Sequence, residues 1–290
     1  MKKIAVGIAV VLGFTLLQPV SAQASNPSVV IIDNAIDSTL PEFSGKLILE
    51  VCPKQLPACK NGSEGPGVAT LPSSVIYAKG TNGNHGTKMA LSALQVNPNA
   101  QIIFIRVGTL ARNGLLNPDI ETTALSFALD WVVENRIKYN IVSVSASLAT
   151  VPARVTSCPL TLSTNQKVVA NTRILIANNV AVFYPTGNDS NRARVVFPAC
   201  ITEAVSVGAI NAFSKDDGWK ISPMTNRIAE TDFYALGSFK GDGIIGQTSS
   251  ATAALAAYWA KNYKGSFATT YQYLKSISSP TLKDFVNVLG

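Results

Sequence analysis

The sequence predicts an α/β fold in three layers, with a mostly parallel, twisted sheet covered by helices on both faces. Short apolar runs rich in β-branched residues alternate along the chain with longer segments of helical periodicity, as they do in successive βαβ units. The runs are continuous rather than alternating with polar residues, which is typical of parallel strands buried on both sides. They occupy residues 29–32, 75–78, 102–105, 141–144, 180–183 and 204–207.

Three helices are predicted between and after these runs. Residues 120–137 carry apolar side chains at helical spacing after a start signal at residues 117–119, and residues 163–177 form a second such segment. Residues 249–261 are rich in alanine, so we expect a helix that packs closely inside the fold. Weak strand signals lie at residues 219–221 and 232–234, and residues 50–73 are expected to be a surface excursion.

The first 24 residues are typical of a secretory signal peptide. Lys2 and Lys3 precede an apolar stretch at residues 4–17, and small residues at positions 20–24 offer a cleavage site. The apolar stretch is shorter than the roughly 20 residues of a membrane-spanning helix. We therefore expect a secreted or periplasmic protein with no stable membrane span after cleavage and with one domain at residues 25–290.

The charge of the chain gives no sign of a nucleic-acid partner. The formal net charge is +7, and loss of the two leader lysines gives 7 − 2 = +5. The remaining basic residues are scattered, whereas nucleic-acid binders cluster them in a patch or stripe.

Four cysteines, Cys52, Cys59, Cys158 and Cys200, predict disulfides in an exported chain. Three connectivities exist for four cysteines. We favour Cys52–Cys59, which closes a short polar loop, and Cys158–Cys200, which joins two distant loops. Metal binding is the rival interpretation, but the chain has no CxxC motif and a single histidine, so we expect no metal and no other cofactor.

Three residues with catalytic potential lie at junctions between elements. His85, the only histidine, comes where a loop gives way to a helical pattern, and Asp33 ends an apolar run, where parallel sheets place functional groups. Ser249 begins the alanine-rich helix, beside backbone N–H groups that could stabilise an oxyanion. Taken singly, each residue also has an ordinary interpretation as a surface histidine, a turn aspartate or a helix cap.

Together and in order, these residues resemble the three signatures of the subtilisin-like serine proteases, the subtilase family. The matching strings are IIDNAID at residues 31–37, HGTKMA at 85–90 and TSSATA at 248–253. The order Asp, His, Ser differs from that of α/β-hydrolases and of chymotrypsin-like enzymes. The resemblance covers roughly residues 28–265 and implies the subtilisin-like version of the predicted fold.

The resemblance implies a serine endopeptidase that forms an acyl-enzyme intermediate. Ser249 would be the nucleophile, His85 the general base and acid, and Asp33 the residue that orients the imidazole. The string PTGN at residues 185–188 resembles the oxyanion segment of the family, with Asn188 as the donor. No cofactor is implied.

The resemblance also implies a protein or peptide substrate. Gly187, in the same oxyanion segment, would be one of the residues that bind it. Ser143 and Ser145 would lie on a strand edge that pairs with the substrate backbone, a form of β-augmentation.

The sequence departs from the family pattern at Asn34-Ala35, where Ser or Thr and then Gly are usual, and at Gln247, which replaces a glycine. These departures keep open the alternative of a binding protein with the same fold and weak or absent catalysis. An esterase with the same triad is a third alternative, but the chain lacks a Gly-x-Ser-x-Gly elbow. Little chain separates the predicted leader from the first strand. Folding therefore either proceeds without a pro-domain or uses a separate inhibitor or chaperone polypeptide.

Overall fold

The structure is a computed structural model that describes residues 26–53, 55–56, 59, 63–79, 83–110, 122–149, 158–211, 219–239, 247–279 and 284–288. The predicted signal peptide at residues 1–24 and the predicted helix start at 117–119 lie outside these ranges.

A mostly parallel sheet forms the centre of the described fold, as predicted. Its strands are β1 (Ser28–Asp33), β2 (Leu47–Cys52), β3 (Ser63–Glu64), β4 (Gln101–Arg106), β5 (Ile141–Ala146), β6 (Ala181–Pro185), β7 (Val205–Asn211), β8 (Lys220–Ile221) and β9 (Phe233–Leu236). The order across the sheet is β3-β2-β4-β1-β5-β6-β7-β8, and β9 also pairs with β7. Only β3 and β8 pair antiparallel within this set.

The helices cover both faces of the sheet. They are α1 (Ser73–Ile76), α2 (His85–Val96), α3 (Thr122–Asn135), α4 (Ser163–Ala177), α5 (Thr248–Lys261) and α6 (Phe267–Ile277), with one turn of 3-10 helix at Pro41–Phe43. Side chains along a strand point alternately to opposite faces. In β1, Val29 and Ile31 therefore pack with α2 and α5, while Val30 and Ile32 pack with α3 and α4. The result is the predicted arrangement of three layers.

One predicted strand is a helix. Residues 75–78 carry a β-branched run, but Ser73–Ile76 form the short helix α1. Pro72 precedes the helix with φ −52°, and its carbonyl accepts hydrogen bonds from Val75 and Ile76. Ile76 is buried against Ala35 and Leu71 in a small cluster of its own. Packing of that cluster overrides the local β preference.

The structure forms the two disulfides that the sequence favours. Cys52 and Cys59 are paired with a Cα–Cα distance of 5.5 Å, and Cys158 and Cys200 with a distance of 5.7 Å. The first begins at the end of β2, and the second ties the segment before α4 to the segment before β7. None of the helices within the described ranges is long and apolar enough to cross a bilayer.

Candidate active site

The centre of the site is a hydrogen-bonded pair formed by Asp33 and His85. Nδ1 of His85 donates to the Asp33 carboxylate and lies 2.8 Å from Oδ1 and 2.9 Å from Oδ2. Asp33 is fully buried, and the backbone N–H of Asn34 donates to its Oδ1 at 2.7 Å. The His85 side chain keeps 17% of its surface exposed. The carboxylate is thus shielded, while the imidazole can still meet a ligand.

Sheet topology explains why Asp33 lies at a site. The chain leaves β1 towards β2 and β4 on one side and later returns on the other side as β5. Such a reversal opens a crevice at the carboxyl ends of the strands. Asp33 is the last residue of β1, and α2 begins at His85, so the pair lies at this crevice.

The electrostatics of the pair raise the pKa of His85. Burial of the ring disfavours the charged form, but the negative charge of Asp33 and its hydrogen bond together outweigh burial. A nearby positive charge on Lys88 acts in the lowering direction. The net pKa of His85 lies above its ordinary value of 6.5. Asp33 therefore stabilises the imidazolium that a general base forms when it takes a proton.

Ser249 is the second residue of α5, at the end of the helix that faces the site. Its side chain is largely buried, with 8% of the residue exposed. The Ser147 hydroxyl donates to the Ser249 carbonyl at 2.9 Å and fixes the first turn. The backbone N–H of Ser249 lies in that turn, where helix geometry provides no intrahelical acceptor.

Helix α5 brings Ser249 into the neighbourhood of the pair. The helix packs against α2, β1 and β5, the elements that surround His85 and Asp33. Its buried residues are mostly alanine, serine and threonine, which permit close approach to the sheet, with Leu255 and Trp259 as the large exceptions. The hydrogen bonds between described residues do not join the His85 ring to the Ser249 hydroxyl. Contacts between base and nucleophile in enzymes without ligand are often long and tighten when substrate binds.

Asn188 is held beside the nucleophile helix. Its Oδ1 accepts hydrogen bonds from Thr248 N at 3.2 Å and from Thr248 Oγ1 at 2.8 Å. These two bonds orient the amide group and leave the NH₂ end, on an exposed residue, available to a ligand. The structure therefore brings Asn188 next to Ser249, across 60 residues of sequence.

The expectation that Ser143 and Ser145 lie on a strand edge is wrong. Both lie in β5, which pairs with β1 on one side and β6 on the other, and both are fully buried. The Ser143 hydroxyl donates to the Ala256 carbonyl at 2.9 Å, and Ser145 shares a hydrogen bond with Ser147. Their polar groups stabilise the contact between the sheet and α5, and neither can pair with a substrate.

Gly187 has a conformational role in the turn that carries Asn188. Its φ is +102°, a region that favours glycine. A Cβ at this position would overlap Nδ2 of Asn226. Asn226 is fully buried and bonds to the backbone on both sides of Asn188. No sequence motif drew attention to Asn226, because its partners are about 35 residues away.

The two departures from the family pattern differ in their structural effect. Ala35 does not adopt positive φ, and its buried methyl group packs with Leu71 and Ile76, so it leaves the Asp33–His85 pair intact. Gln247 precedes α5 with φ 50° and ψ −125°, a conformation that a residue with a side chain rarely adopts. Among the described residues, no group of three or more His, Cys, Asp or Glu side chains is placed to hold a metal ion.

The fold resembles that of known proteases. A cold-adapted subtilisin-like serine proteinase superposes with a TM-score of 0.60 at 20% identity, with 91% of this chain and 89% of the other covered. Proteases from Pseudoalteromonas arctica give 0.64 at 16% identity, with coverage of 91% and 88%. A lanthipeptide protease gives 0.63 at 16% identity, with coverage of 87% and 80%. At these identities the likeness establishes the fold.

Comparison of the sequence with known families establishes the family of the chain as well as its fold. A search of curated proteins gives no match. The profile of the subtilase family, Peptidase S8, matches residues 24–271, well over half of the chain. The chain therefore belongs to the subtilase family of serine-type peptidases.

Proposed function

We propose that this subtilase is an exported serine endopeptidase that cleaves protein or peptide substrates with Asp33, His85 and Ser249. The observation that carries the proposal is the Asp33–His85 pair, in which a fully buried carboxylate holds Nδ1 of the ring at 2.8 Å. This contact leaves Nε2 as the nitrogen that exchanges a proton with the nucleophile.

In the proposed reaction the Ser249 hydroxyl attacks the carbonyl carbon of the scissile peptide bond. Its proton moves to Nε2 of His85, and the imidazolium is stabilised by Asp33. His85 then gives the proton to the leaving amine, the C–N bond breaks and an acyl-enzyme remains. Water attacks the ester with His85 again as base, and release of the acid restores Ser249.

Two donors would stabilise the oxyanion of each tetrahedral intermediate. One is the NH₂ group of Asn188, whose orientation is supported by the hydrogen bonds from Thr248 to its Oδ1. The other is the backbone N–H of Ser249 in the first turn of α5. Both donors are fixed before substrate arrives, which is the condition for effective stabilisation of developing charge.

The substrate backbone would pair with residues 147–149, directly after β5, instead of with Ser143 and Ser145. Ala149 is exposed, and the pairing of β5 with β1 and β6 ends at Ala146 or before. Leu148 N donates to Ala146 O at 2.8 Å, and the other backbone groups of this segment can pair with an extended peptide as an additional strand.

Export is supported by the sequence of residues 1–24 and by the two disulfides, which persist in oxidising compartments. We expect the mature chain to begin near residue 25 and to form one peptidase domain. Fractionation of expressing cells followed by N-terminal sequencing tests this: mature protein outside the cytoplasm supports export, and an intact leader on cytoplasmic protein contradicts it.

Fluorophosphonate labelling of the purified protein, measured by intact mass, tests the triad. We expect a single adduct that Ser249→Ala abolishes. Ser250→Ala is the matched control, because Ser250 is the next residue of α5 and its buried hydroxyl has no hydrogen-bond partner among the described residues. A peptide and an ester substrate tested side by side separate a peptidase from an esterase. No adduct on folded protein would contradict the proposal and favour the binding-protein alternative.

A further inference from the structure

The loop that carries Asn188 is organised by one buried side chain on a different segment. Asn226 has no exposed surface. Its Oδ1 accepts hydrogen bonds from the backbone N–H groups of Asp189 and Asn191, both at 2.9 Å. Its Nδ2 donates to the Asp189 carboxylate at 3.0 Å, and its own backbone N–H donates to the Gly187 carbonyl at 2.8 Å. Asn226 thus holds the chain immediately before and immediately after Asn188.

The segment that carries Asn226 is itself anchored to the sheet. The Thr225 hydroxyl accepts a hydrogen bond from Ala209 N at 3.1 Å, and Ala209 lies in β7. Met224 O accepts a hydrogen bond from Ser190 N at 2.9 Å, and Arg227 N donates to Asn191 O at 2.9 Å. The Asn188 loop is therefore joined to a core strand through residues 224–227.

The packing around Asn226 leaves little tolerance for movement. The side-chain amide lies so close to Gly187 that a Cβ there would overlap Nδ2. From the other side, Thr248 fixes Oδ1 of Asn188. The side-chain amide of Asn188 is thus held by the hydrogen bonds from Thr248 to its Oδ1. Its backbone is held through the peptide groups of Gly187 and Asp189, which both bond to Asn226. A shift of this backbone would move the NH₂ group relative to the Ser249 N–H.

We propose that Asn226 is a positioning residue for the oxyanion site, which aligns the Asn188 amide with the transition state through the backbone at Gly187 and Asp189. The inference rests on the proposed function, because it concerns the same site. It assigns no contact between Asn226 and substrate.

Steady-state kinetics of the full chain test the proposal. Asn226→Asp keeps the acceptor for Asp189 N and Asn191 N but replaces the donor towards the Asp189 carboxylate by a second carboxylate oxygen. We expect kcat to fall at least about tenfold with KM nearly unchanged, against a loss of about 10²–10³ for direct removal of the donor in Asn188→Ala. The double variant Asp189→Asn with Asn226→Asp restores a donor opposite an acceptor, and we expect it to recover most of the lost kcat.

A double-mutant cycle separates positioning from general destabilisation. In the Asn188→Ala background, Asn226→Asp should reduce kcat less than about threefold, because the donor that it positions is already gone. Asn165→Asp is the matched control: Asn165 is 1% exposed and its Nδ2 donates to Pro159 O at 2.9 Å. That variant should lose stability and keep kcat. Wild-type kcat in Asn226→Asp, or an equal loss in both backgrounds, overturns the proposal.

Amide hydrogen exchange provides a measurement that needs no turnover. Asn226→Ala should accelerate exchange at Asp189 and Asn191 at least about tenfold relative to the amides of β6, since both donors lose their acceptor. Unchanged exchange at these two amides overturns the inference, whether or not the protein is active. Absence of hydrolysis by the wild-type protein would instead count against the proposed function, so the two failures are distinguishable.

Discussion

Gly86 lies against Ala35 so closely that a Cβ on the glycine would overlap the Ala35 carbonyl oxygen. The added Cβ on Gly86 would also lie 3.0 Å from Cβ of Asp33. The second residue of α2 thus touches the backbone that follows β1, and this contact brings His85 within hydrogen-bonding distance of Asp33.

Gly86→Ala should therefore damage both stability and activity. Alanine is favoured over glycine in helices by up to about 1 kcal/mol. Overlap with a backbone oxygen that cannot rotate away costs more, so we expect a net loss of about 2 kcal/mol in the free energy of unfolding. Urea denaturation and kcat check this. Gly265→Ala is the control: Gly265 has positive φ, but no atom of the described residues lies within 4 Å of an added Cβ, so that variant should lose about 1 kcal/mol and keep kcat.

Asp33→Asn should lower the pKa of His85 and reduce kcat by about 10⁴, the loss known for other triads of this kind. The chain has one histidine, so NMR titration of its ring needs no assignment. In the wild type we expect a pKa above 6.5, and activity that falls as pH drops through that pKa. A wild-type pKa at or below 6.5 would refute the stabilising role of the carboxylate.

The Asp33–His85 pair should stabilise the folded protein more at low pH than at high pH, whereas activity should fall as pH drops. The folded state raises the pKa of His85, so it binds the proton more tightly than the unfolded chain does. The stabilisation is fully present below the unfolded pKa and is lost as pH rises through the folded pKa. The difference in unfolding free energy between wild type and His85→Gln should accordingly be larger at pH near 6 than near 9. A difference that grows towards pH 9 would contradict this.

Gln247→Gly should stabilise the protein. Gln247 holds φ 50° and ψ −125° at the start of α5, and glycine adopts such a conformation without steric cost. We expect a gain of about 1 kcal/mol in the free energy of unfolding. Gln247→Ala removes the same contact of the side-chain amide with Met224 but keeps the strained backbone. If alanine stabilises as much as glycine, the backbone is not the cause.

Removal of the two disulfides should have unequal effects. The Cys158–Cys200 bond spans 42 residues and the Cys52–Cys59 bond spans 7. Loop-closure entropy then gives losses of about 4 and about 2 kcal/mol for the paired serine variants. Thermal and urea unfolding of Cys158→Ser with Cys200→Ser, compared with Cys52→Ser with Cys59→Ser, check the difference. Equal losses would contradict the entropic account.

Much of the sheet and three helices could be predicted because local signals agree with tertiary packing. The helices predicted at residues 120–137 and 249–261 correspond to α3 (Thr122–Asn135) and α5 (Thr248–Lys261). The continuous apolar runs of β1 and β4 are buried on both faces, as parallel strands require. Helix α4 begins and ends at the predicted residues, Ser163–Ala177. Its end is marked by Asn179, whose φ of 64° lies in the left-handed region that asparagine tolerates at helix ends.

The errors arose where long-range packing decides the structure. The family resemblance implied that Ser143 and Ser145 lie on a strand edge, yet both are buried and hydrogen-bonded inside the core, Ser143 to a carbonyl of α5. The unpredicted helix Phe267–Ile277 is a different case, because Phe267, Tyr271 and Leu274 have helical spacing and so provide a local signal. Phe267 also packs on Trp259.

The site shows the same division between local and distant signals. Asp33, His85 and Ser249 each lie in a short local motif that can be recognised from neighbouring residues alone. In the structure, Asp33 and His85 are joined directly by a hydrogen bond. Asn226 has no such string. Its relation to Asn188 depends on how residues 187–191 and 224–227 meet in space, which periodicity and composition do not encode.

Helix α5 carries Ser249 at one end and is buried along almost its whole length, in contact with α2, β1, β5, β6 and β7. The candidate nucleophile is therefore attached to the part of the molecule expected to open last. Heat should abolish activity and tertiary structure in a single step, since no partly folded form can release the core and keep the site. A molecule that has begun to unfold globally is then already inactive. It cannot cleave other copies of the chain, but folded copies can cleave it.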